Sequence, residues 1–521
     1  MAEKIYPIGV QSFERIRTEN CYYVDKTALL WKLTKEVAPL FLSRPRRFGK
    51  SLMLSTLEAY FNGQKELFEG LEIASLEKDW QKYPVFHFDF NTVGTEASQP
   101  LGETLDSALS AYEKIWGISP NGMNPALYAS RFIRLIDKAK IESGKNVVIL
   151  IDECYKPLLN TVEDEVVNKL YRDILKPFYG VLKTMSRNLR FVMLTGIARF
   201  GKVSIFSDLN NLLDISLNPE YNTICGVTEE ELYSNFGDSL KELADSYGVS
   251  DEDIKKRLKA TYDGYHFGIP RKCSEIYNPY SLLKCFKNRE ISDYWFESAT
   301  PSYLVKRMIR RDFEFPELQD AYVDKSELVC GITADDSSLG QLYQTGYLTI
   351  KDYDEESELY QLGFPNLEVE KGFDTLALKA YGSMASSDFD VSKFRKEVVS
   401  GKPYEFMKRL KAFTADFPND KMPDLEVHWH NITYLLFKLL GFYTQTEYKK
   451  SDGRIDAVVE TPRYVYVFEF KMDESPKKAI DQINSKEYTL PFSADGRKLF
   501  KIGVEFASKN RRIVDYIIEQ E

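Results

Sequence analysis

The most constraining feature of the 521-residue sequence is a strand, a loop and a helix that follow one another without a break. Leu40-Phe41-Leu42-Ser43 is a short apolar run, Arg44-Pro45-Arg46-Arg47-Phe48-Gly49-Lys50-Ser51 is the loop, and Leu52-Met53-Leu54-Ser55-Thr56-Leu57 continues as a helix. A phosphate-binding loop wraps backbone N–H groups and a helix N-terminus around the phosphates. It also sets a Lys on the β/γ oxygens and offers a hydroxyl to Mg2+. Arg47, Phe48, Gly49, Lys50 and Ser51 are therefore the expected nucleotide-binding residues, with Ser51 also on the metal. Arg44 stands where the general pattern has its first Gly, a position that usually favours a residue without a Cβ. The alternative reading is a basic surface loop that simply starts a helix.

A second run, Val147-Val148-Ile149-Leu150-Ile151-Asp152-Glu153, weakens that alternative. A buried strand ending in two acids would deliver Asp152 to Mg2+ and Glu153 to the water that attacks in phosphoryl transfer. The third element, Leu189-Arg190-Phe191-Val192-Met193-Leu194-Thr195-Gly196, ends an apolar strand on a polar Thr195, a candidate for sensing the γ-phosphate. Arg199 and Lys202 follow and rank below it. With Val85 to Phe90, these strands alternate with helical patterns, the rhythm of a parallel α/β sheet.

From about residue 228 to 331 the pattern becomes helical and charged around Tyr262-Asp263-Gly264-Tyr265-His266-Phe267, which reads as a lid-like subdomain. Leu339 to Gly346 then reads as a short helix, followed by Tyr347-Leu348-Thr349-Ile350, a charged turn and Leu359-Tyr360-Gln361-Leu362, the order of a winged-helix-like element. From Leu435 onward the expectation is helix, strand, strand, helix, strand. Gly453-Arg454-Ile455-Asp456-Ala457-Val458-Val459 and Tyr464-Val465-Tyr466-Val467-Phe468-Glu469-Phe470-Lys471 form the adjacent strands. That pairing brings Asp456 and Glu469 together, and Lys471, two residues on, shares the face of Glu469. Two carboxylates holding Mg2+ beside a Lys suit metal-dependent phosphodiester hydrolysis. An E-x-K triplet alone is common on solvated strands. Its weight comes from Asp456, the apolar run and the following helix with Gln482 and Tyr488.

Composition narrows the remainder. Six cysteines without a C-x-x-C pair and only four histidines give no zinc or disulfide pattern. His87 reads as a structural histidine, and His428 and His430 are two apart, which does not place both on one helix face. The net charge of −10 excludes a chain coated in nucleic acid. Residues 421–521 hold as many basic as acidic side chains, so the deficit lies in residues 1–420. There is no secretory pattern at the start and no apolar stretch near the roughly 18 residues of a membrane span.

Taken together, Arg44-Pro45-Arg46-Arg47-Phe48-Gly49-Lys50-Ser51, Leu150-Ile151-Asp152-Glu153 and Thr195-Gly196-Ile197-Ala198-Arg199-Phe200 resemble the bacterial AAA-ATPase-like family that carries a C-terminal PD-(D/E)xK nuclease domain. Tyr22-Tyr23-Val24-Asp25-Lys26-Thr27, Tyr262-Asp263-Gly264-Tyr265 and Tyr277-Asn278-Pro279-Tyr280 match as well, so the resemblance covers nearly the whole chain. It implies that Arg44 is the family's own form, that Glu426 joins the nuclease metal site, and that Gln482 is the polar residue of the helix after the E-x-K strand. Cys154-Tyr155 departs from the Tyr-Asp that the family more often has.

The expected fold is α/β. It comprises a P-loop NTPase domain with a parallel sheet (1–227), a helical lid with a winged-helix-like element (228–385), and an α/β restriction-endonuclease-like domain (386–521). The expected function is ATP binding and hydrolysis coupled to a metal-dependent DNase, with Glu153, Asp456, Glu469 and Lys471 catalytic. Lys50, Asp152 and Thr195 are expected at the nucleotide, and Ser51, Asp152, Glu426, Asp456 and Glu469 at metal. The expected cofactors are ATP and Mg2+, with Mn2+ an alternative in the nuclease site. The expected partner is DNA, with RNA as the alternative. A cytoplasmic location, no membrane and a homo-oligomer complete the expectation, the last by analogy alone. The competing class is a nucleotide-dependent switch or scaffold whose nuclease-like domain only binds.

Overall fold

The computed structural model describes residues 4–93, 101–119, 124–162, 164–197, 211–295, 302–311, 313–319, 321–329, 337–381, 391–414, 425–439, 441, 443–450, 453–493, 496–508 and 512–521. The chain gathers into two compact units: residues 1–295 with 320–368, and residues 296–319 with 369–521.

The first unit is built on five parallel strands: β1 (Leu40–Ser43), β2 (Val85–Asp89), β3 (Val147–Asp152), β4 (Leu189–Gly196) and β5 (Leu213–Asp214), in the order β2-β3-β4-β1-β5. Every residue of β3 is buried, because helices cover both faces of a parallel sheet; this is why its sequence is continuously apolar. The helix Lys50–Phe61 packs on β2, β3 and β4, and Tyr128–Ser143 packs on β3 and on the helix Glu165–Thr184. Because β4 lies between β1 and β3, the C-terminal ends of the three motif-bearing strands stand side by side. Leu42 pairs with Thr195 and Ser43 with Gly196, while Asp89 of β2 pairs with Asp152. Ligands of open parallel sheets bind at that carboxyl edge.

The helical region expected after residue 228 is present. Glu229–Asn235 starts on a capping box between Thr228 and Glu231, Asp251–Tyr262 starts on a Ser250 cap, and Pro279–Asn288 on Asn278. Leu232, Phe236, Leu243, Leu258, Tyr262 and Phe286 form its core. The helix Ser338–Thr345 closes on Gly346 at φ +89° and leads into β7 (Thr349–Asp354) and β8 (Leu359–Gly363), the expected helix and hairpin. An unexpected short strand, β6 (Ala321–Val323), pairs with β8.

In the second unit a mixed sheet runs β13-β12-β11-β10-β9, from β9 (Tyr443–Lys450), β10 (Gly453–Glu460), β11 (Tyr464–Met472), β12 (Lys498–Ala507) and β13 (Arg512–Gln520). Only β11 and β12 are parallel, and the helix Pro476–Ser485 makes the crossover that such a pair needs. β9 and β13 add two strands to the expected order. They carry many polar residues and occupy the sheet edges, where the apolar alternation that marks a strand is weak. Segment 296–319 joins this unit through the buried Asn431, which accepts from Phe315 N (2.9 Å) and donates to Phe313 O (2.8 Å).

Candidate functional site

The phosphate loop begins as β1 ends, and its geometry explains why Arg44 is tolerated. Arg44 has an ordinary backbone; the left-handed conformations fall on Arg47 (φ +71°) and Gly49 (φ +95°), so a Cβ at the first position costs nothing. Gly49 caps the helix Lys50–Phe61, whose first turn carries Lys50 and Ser51. Lys50 is 5% exposed. Its Nζ donates to Arg44 O (2.9 Å) and Pro45 O (3.3 Å) and pairs with Glu153 Oε1 at 3.0 Å.

Asp152, at the end of β3, is held from both sides. Ser51 Oγ donates to its Oδ2 and Thr195 Oγ1 to its Oδ1, each at 2.5 Å. The sequence placed Lys50, Ser51, Asp152, Glu153 and Thr195 at one site, and the structure brings these five together. Glu153 itself has φ +50°, and its Oε2 is buried without a hydrogen-bond partner among the described residues. Hydroxyl and carboxylate oxygens are the donors Mg2+ prefers, so the Ser51–Asp152 pair fits that ion.

The side chains of Arg47 and Phe48 have aromatic partners. The Arg47 guanidinium lies over the Tyr280 ring at 4.6 Å, and Phe48 is buried edge-on to Tyr265 (4.8 Å) and Phe267 (5.2 Å). Their side chains are thus engaged by the helical region. Cys154 and Tyr155, where the family pattern differs, are buried. Tyr179 Oη donates to Cys154 O (2.8 Å), and the Tyr155 ring meets Phe41 edge-on at 5.6 Å. Burial pushes the Cys154 thiol well above its ordinary range, and the neighbouring acids add to the shift, so it is a neutral packing group. Arg199 and Lys202 lie outside the described residues.

A cation that sequence reasoning passed over stands nearby. Lys156 Nζ donates to Asn91 O (2.9 Å) and Asn91 Oδ1 (3.0 Å). Burial pulls its pKa down, Glu153 opposes that shift and Arg46 adds to it. Its spacing of three from Glu153 was the only available signal. His87 bonds Glu58 through Nδ1 at 2.9 Å, in keeping with a structural histidine.

In the second unit the register Ala457↔Phe468 places Asp456 next to Glu469 one step beyond the ladder. Asp456 Oδ2 accepts from Phe470 N at 2.7 Å. Glu469 is 2% exposed and its Oε1 lies 2.8 Å from Lys471 Nζ, which also donates to Gln482 Oε1 at 2.8 Å; Gln482 Nε2 reaches Tyr488 Oη at 3.3 Å. Burial lowers the affinity of Lys471 for its proton. The hydrogen bond and charge of Glu469, with Asp456 and Glu474 behind, outweigh that and raise its pKa, so Lys471 stands as an ammonium. Glu426 lies in the helix Leu425–Leu439, and its side chain is outside what is described, as are those of His428 and His430. Among the described residues no three His, Cys, Asp or Glu side chains gather as a metal cage. Two carboxylates with water completing the shell is instead the arrangement Mg2+ accepts, and Asp456 with Glu469 fits it.

A family model described as predicted AAA-ATPase matches residues 7–206, and one of the PD-(D/E)XK nuclease superfamily matches residues 424–516. An uncharacterized protein in vnfD 5'region of Azotobacter chroococcum mcd 1 is 33% identical over 531 residues, covering 100% of this chain and 99% of that relative. With a likeness that runs the full length of both chains, and with the two models falling one on each of the two large sheets, the chain belongs to the predicted AAA-ATPase-like family that carries a C-terminal PD-(D/E)XK nuclease superfamily domain.

Proposed function

We propose that the chain binds ATP with Mg2+ at the phosphate loop, hydrolyses it, and thereby controls a metal-dependent DNase in its C-terminal part. The observation that carries the reading is the meeting of Lys50, Ser51, Asp152, Glu153 and Thr195 at the carboxyl edge of one parallel sheet. Lys50, on leaving Glu153, would neutralise the phosphates, Ser51 and Asp152 would hold the ion, and Thr195 would sense the terminal phosphate through its bond to Asp152. Glu153, freed from Lys50, polarises the attacking water. Residues 1–227 would form the ATPase, 228–385 its lid and winged-helix-like element, and 386–521 the nuclease.

In the nuclease Asp456 and Glu469, joined by Glu426, would hold the ion. Bound metal supplies the activated water and stabilises the developing charge. Lys471, kept protonated and aimed by Gln482, would position the attacking water and the scissile phosphate. Among the described residues no helix is long and apolar enough to cross a membrane. The proposed setting is the cytoplasm, in a homo-oligomer. One observation favours a slow nucleotide switch instead: Glu153 is paired with Lys50, so the water-activating carboxylate is occupied until nucleotide displaces it.

The test is cleavage of plasmid, single-stranded DNA and RNA with Mg2+ or Mn2+, with and without ATP, by wild type, Glu469→Ala and Lys50→Ala. Cleavage abolished by Glu469→Ala and altered by Lys50→Ala is the expected result. ATP binding without cleavage in any condition moves the protein to the switch class.

A further inference from the structure

Arg44 is 1% exposed, and every hydrogen bond the described residues give its guanidinium goes to a main-chain carbonyl. Nη1 donates to Ser43 O (2.8 Å) and Ser216 O (2.9 Å), and Nη2 to Tyr221 O (3.1 Å) and Asn222 O (3.5 Å). The Phe267 ring lies against it, its centroid 4.1 Å from Cζ. A buried cation is costly unless its donors are met and its charge is compensated. Here carbonyl dipoles meet both Nη groups and an aromatic face helps to compensate the charge, while the buried Nε has no hydrogen-bond partner among the described residues.

The main chain of the same residue faces the other way. Arg44 N donates to Gly196 O (3.2 Å), where β4 ends beside Thr195, and Arg44 O accepts from Lys50 Nζ (2.9 Å). Fixing the guanidinium therefore fixes the peptide that steers Lys50. Phe48 is a second anchor on the same wall. Its ring meets Tyr265 and Phe267, and its carbonyl accepts from Gly226 N at 3.1 Å. That wall has no slack, since a Cβ at Gly226 would stand 2.2 Å from the Ile276 side chain and 3.3 Å from Phe48.

We propose that Arg44 is a positioning residue of the nucleotide site: seated in a slot of four main-chain carbonyls on Phe267, it holds the loop where Lys50 meets the phosphates and ties the loop to residues 216–226 and 265–267. The inference rests on the ATP-binding reading above. It reverses what the general loop pattern suggests, because restoring the missing Gly at position 44 harms the site.

The test is binding of a fluorescent ATP analogue with Mg2+ to the full chain, in wild type, Arg44→Gly, Arg44→Lys and Phe267→Leu, together with the melting temperature of each. Every protein is measured with low-millimolar guanidinium chloride, far below denaturing levels, and with equal sodium chloride. Arg44→Gly should lose roughly 10- to 100-fold in affinity, the usual scale for charged hydrogen bonds. Guanidinium, refilling the slot, should restore most of the loss and sodium none. Arg44→Lys should lose nearly as much and resist rescue, because its own stem fills the slot and an ammonium cannot fork to four carbonyls. Phe267→Leu should lose less.

Undiminished affinity in Arg44→Gly overturns the proposal, as does a loss that guanidinium leaves unrepaired in a protein that melts like wild type. If Arg44→Gly fails to fold, wild-type affinity in both Arg44→Lys and Phe267→Leu overturns it. A wild type that ignores the analogue overturns the ATP reading itself, an outcome separate from the others.

Discussion

Glu153 sits in a conformation that L-residues avoid, at φ +50°, and its neighbours over-determine it. Glu153 N donates to Asp152 Oδ1 (3.0 Å), and Cys154 N donates to Thr195 O (2.9 Å). Strain held in this way aims a carboxylate into the site instead of along the strand. Glu153→Gln keeps shape and backbone and removes only the charge. ATP binding should persist, while phosphate release should slow by about 10²- to 10⁴-fold, the worth of a general base. Unchanged turnover would remove Glu153 from the chemistry. The nuclease side offers a parallel test at Gln482, whose Oε1 holds Lys471 Nζ opposite Glu469. Gln482→Ala should lower cleavage about 10- to 100-fold, as the loss of a supporting partner does, with the melting temperature held. An equal loss in the melting temperature and the rate would mark Gln482 as packing alone.

At the scale of elements, the helix Asp251–Tyr262 ends on Asp263, a residue only 1% exposed. Burial pushes its carboxyl up to about 7, against the Gly264 N–H and Lys259, with Glu275 and Glu229 adding to the rise; the Lys259 ammonium is 4.0 Å away. The folded chain therefore holds a proton that the unfolded chain releases near its ordinary value, and stability falls as pH rises between about 4 and 7. Asp263→Asn removes that slope. It should equal wild type near pH 4 and gain on the order of 2–4 kcal/mol above pH 7, read from denaturant unfolding at several pH values. A difference that stays constant with pH would refute the assignment.

Such elements also show what can be read without coordinates. β3 is legible because all its residues are buried, so nothing but apolar side chains precedes Asp152. β9, Tyr-Thr-Gln-Thr-Glu-Tyr-Lys-Lys, is an edge strand whose polar sequence gives no such sign. The Arg44 slot left no trace because its acceptors are main-chain carbonyls of residues 43, 216, 221 and 222, which no side-chain pattern records. The Asp456, Glu469 and Lys471 cluster was legible since strand alternation alone fixes which face each side chain takes.

For the whole molecule, the chain passes from one compact unit to the other after residues 295, 319 and 368, yet each of the two large sheets lies within one unbroken stretch of its unit. Two ligand sites on two separate sheets should still leave separate footprints, because a ligand protects the amides whose opening it opposes. With Mg2+ and ATP at about a hundred times its dissociation constant, opening around residues 40–52, 147–153 and 189–196 should become roughly 100-fold rarer. Hydrogen exchange read by mass spectrometry should slow there accordingly. Mn2+ without nucleotide should instead slow the segments around residues 455–458 and 467–472. Lys50→Ala should erase the first footprint and keep the second, and Glu469→Ala the reverse. A nucleotide footprint that survives Lys50→Ala would place ATP elsewhere. A Mn2+ footprint untouched by Glu469→Ala would move the metal away from Asp456 and Glu469. If the nucleotide footprint spreads to residues 455–472 in wild type alone, binding at the first sheet alters the second, which is the coupling that ATP control of cleavage requires.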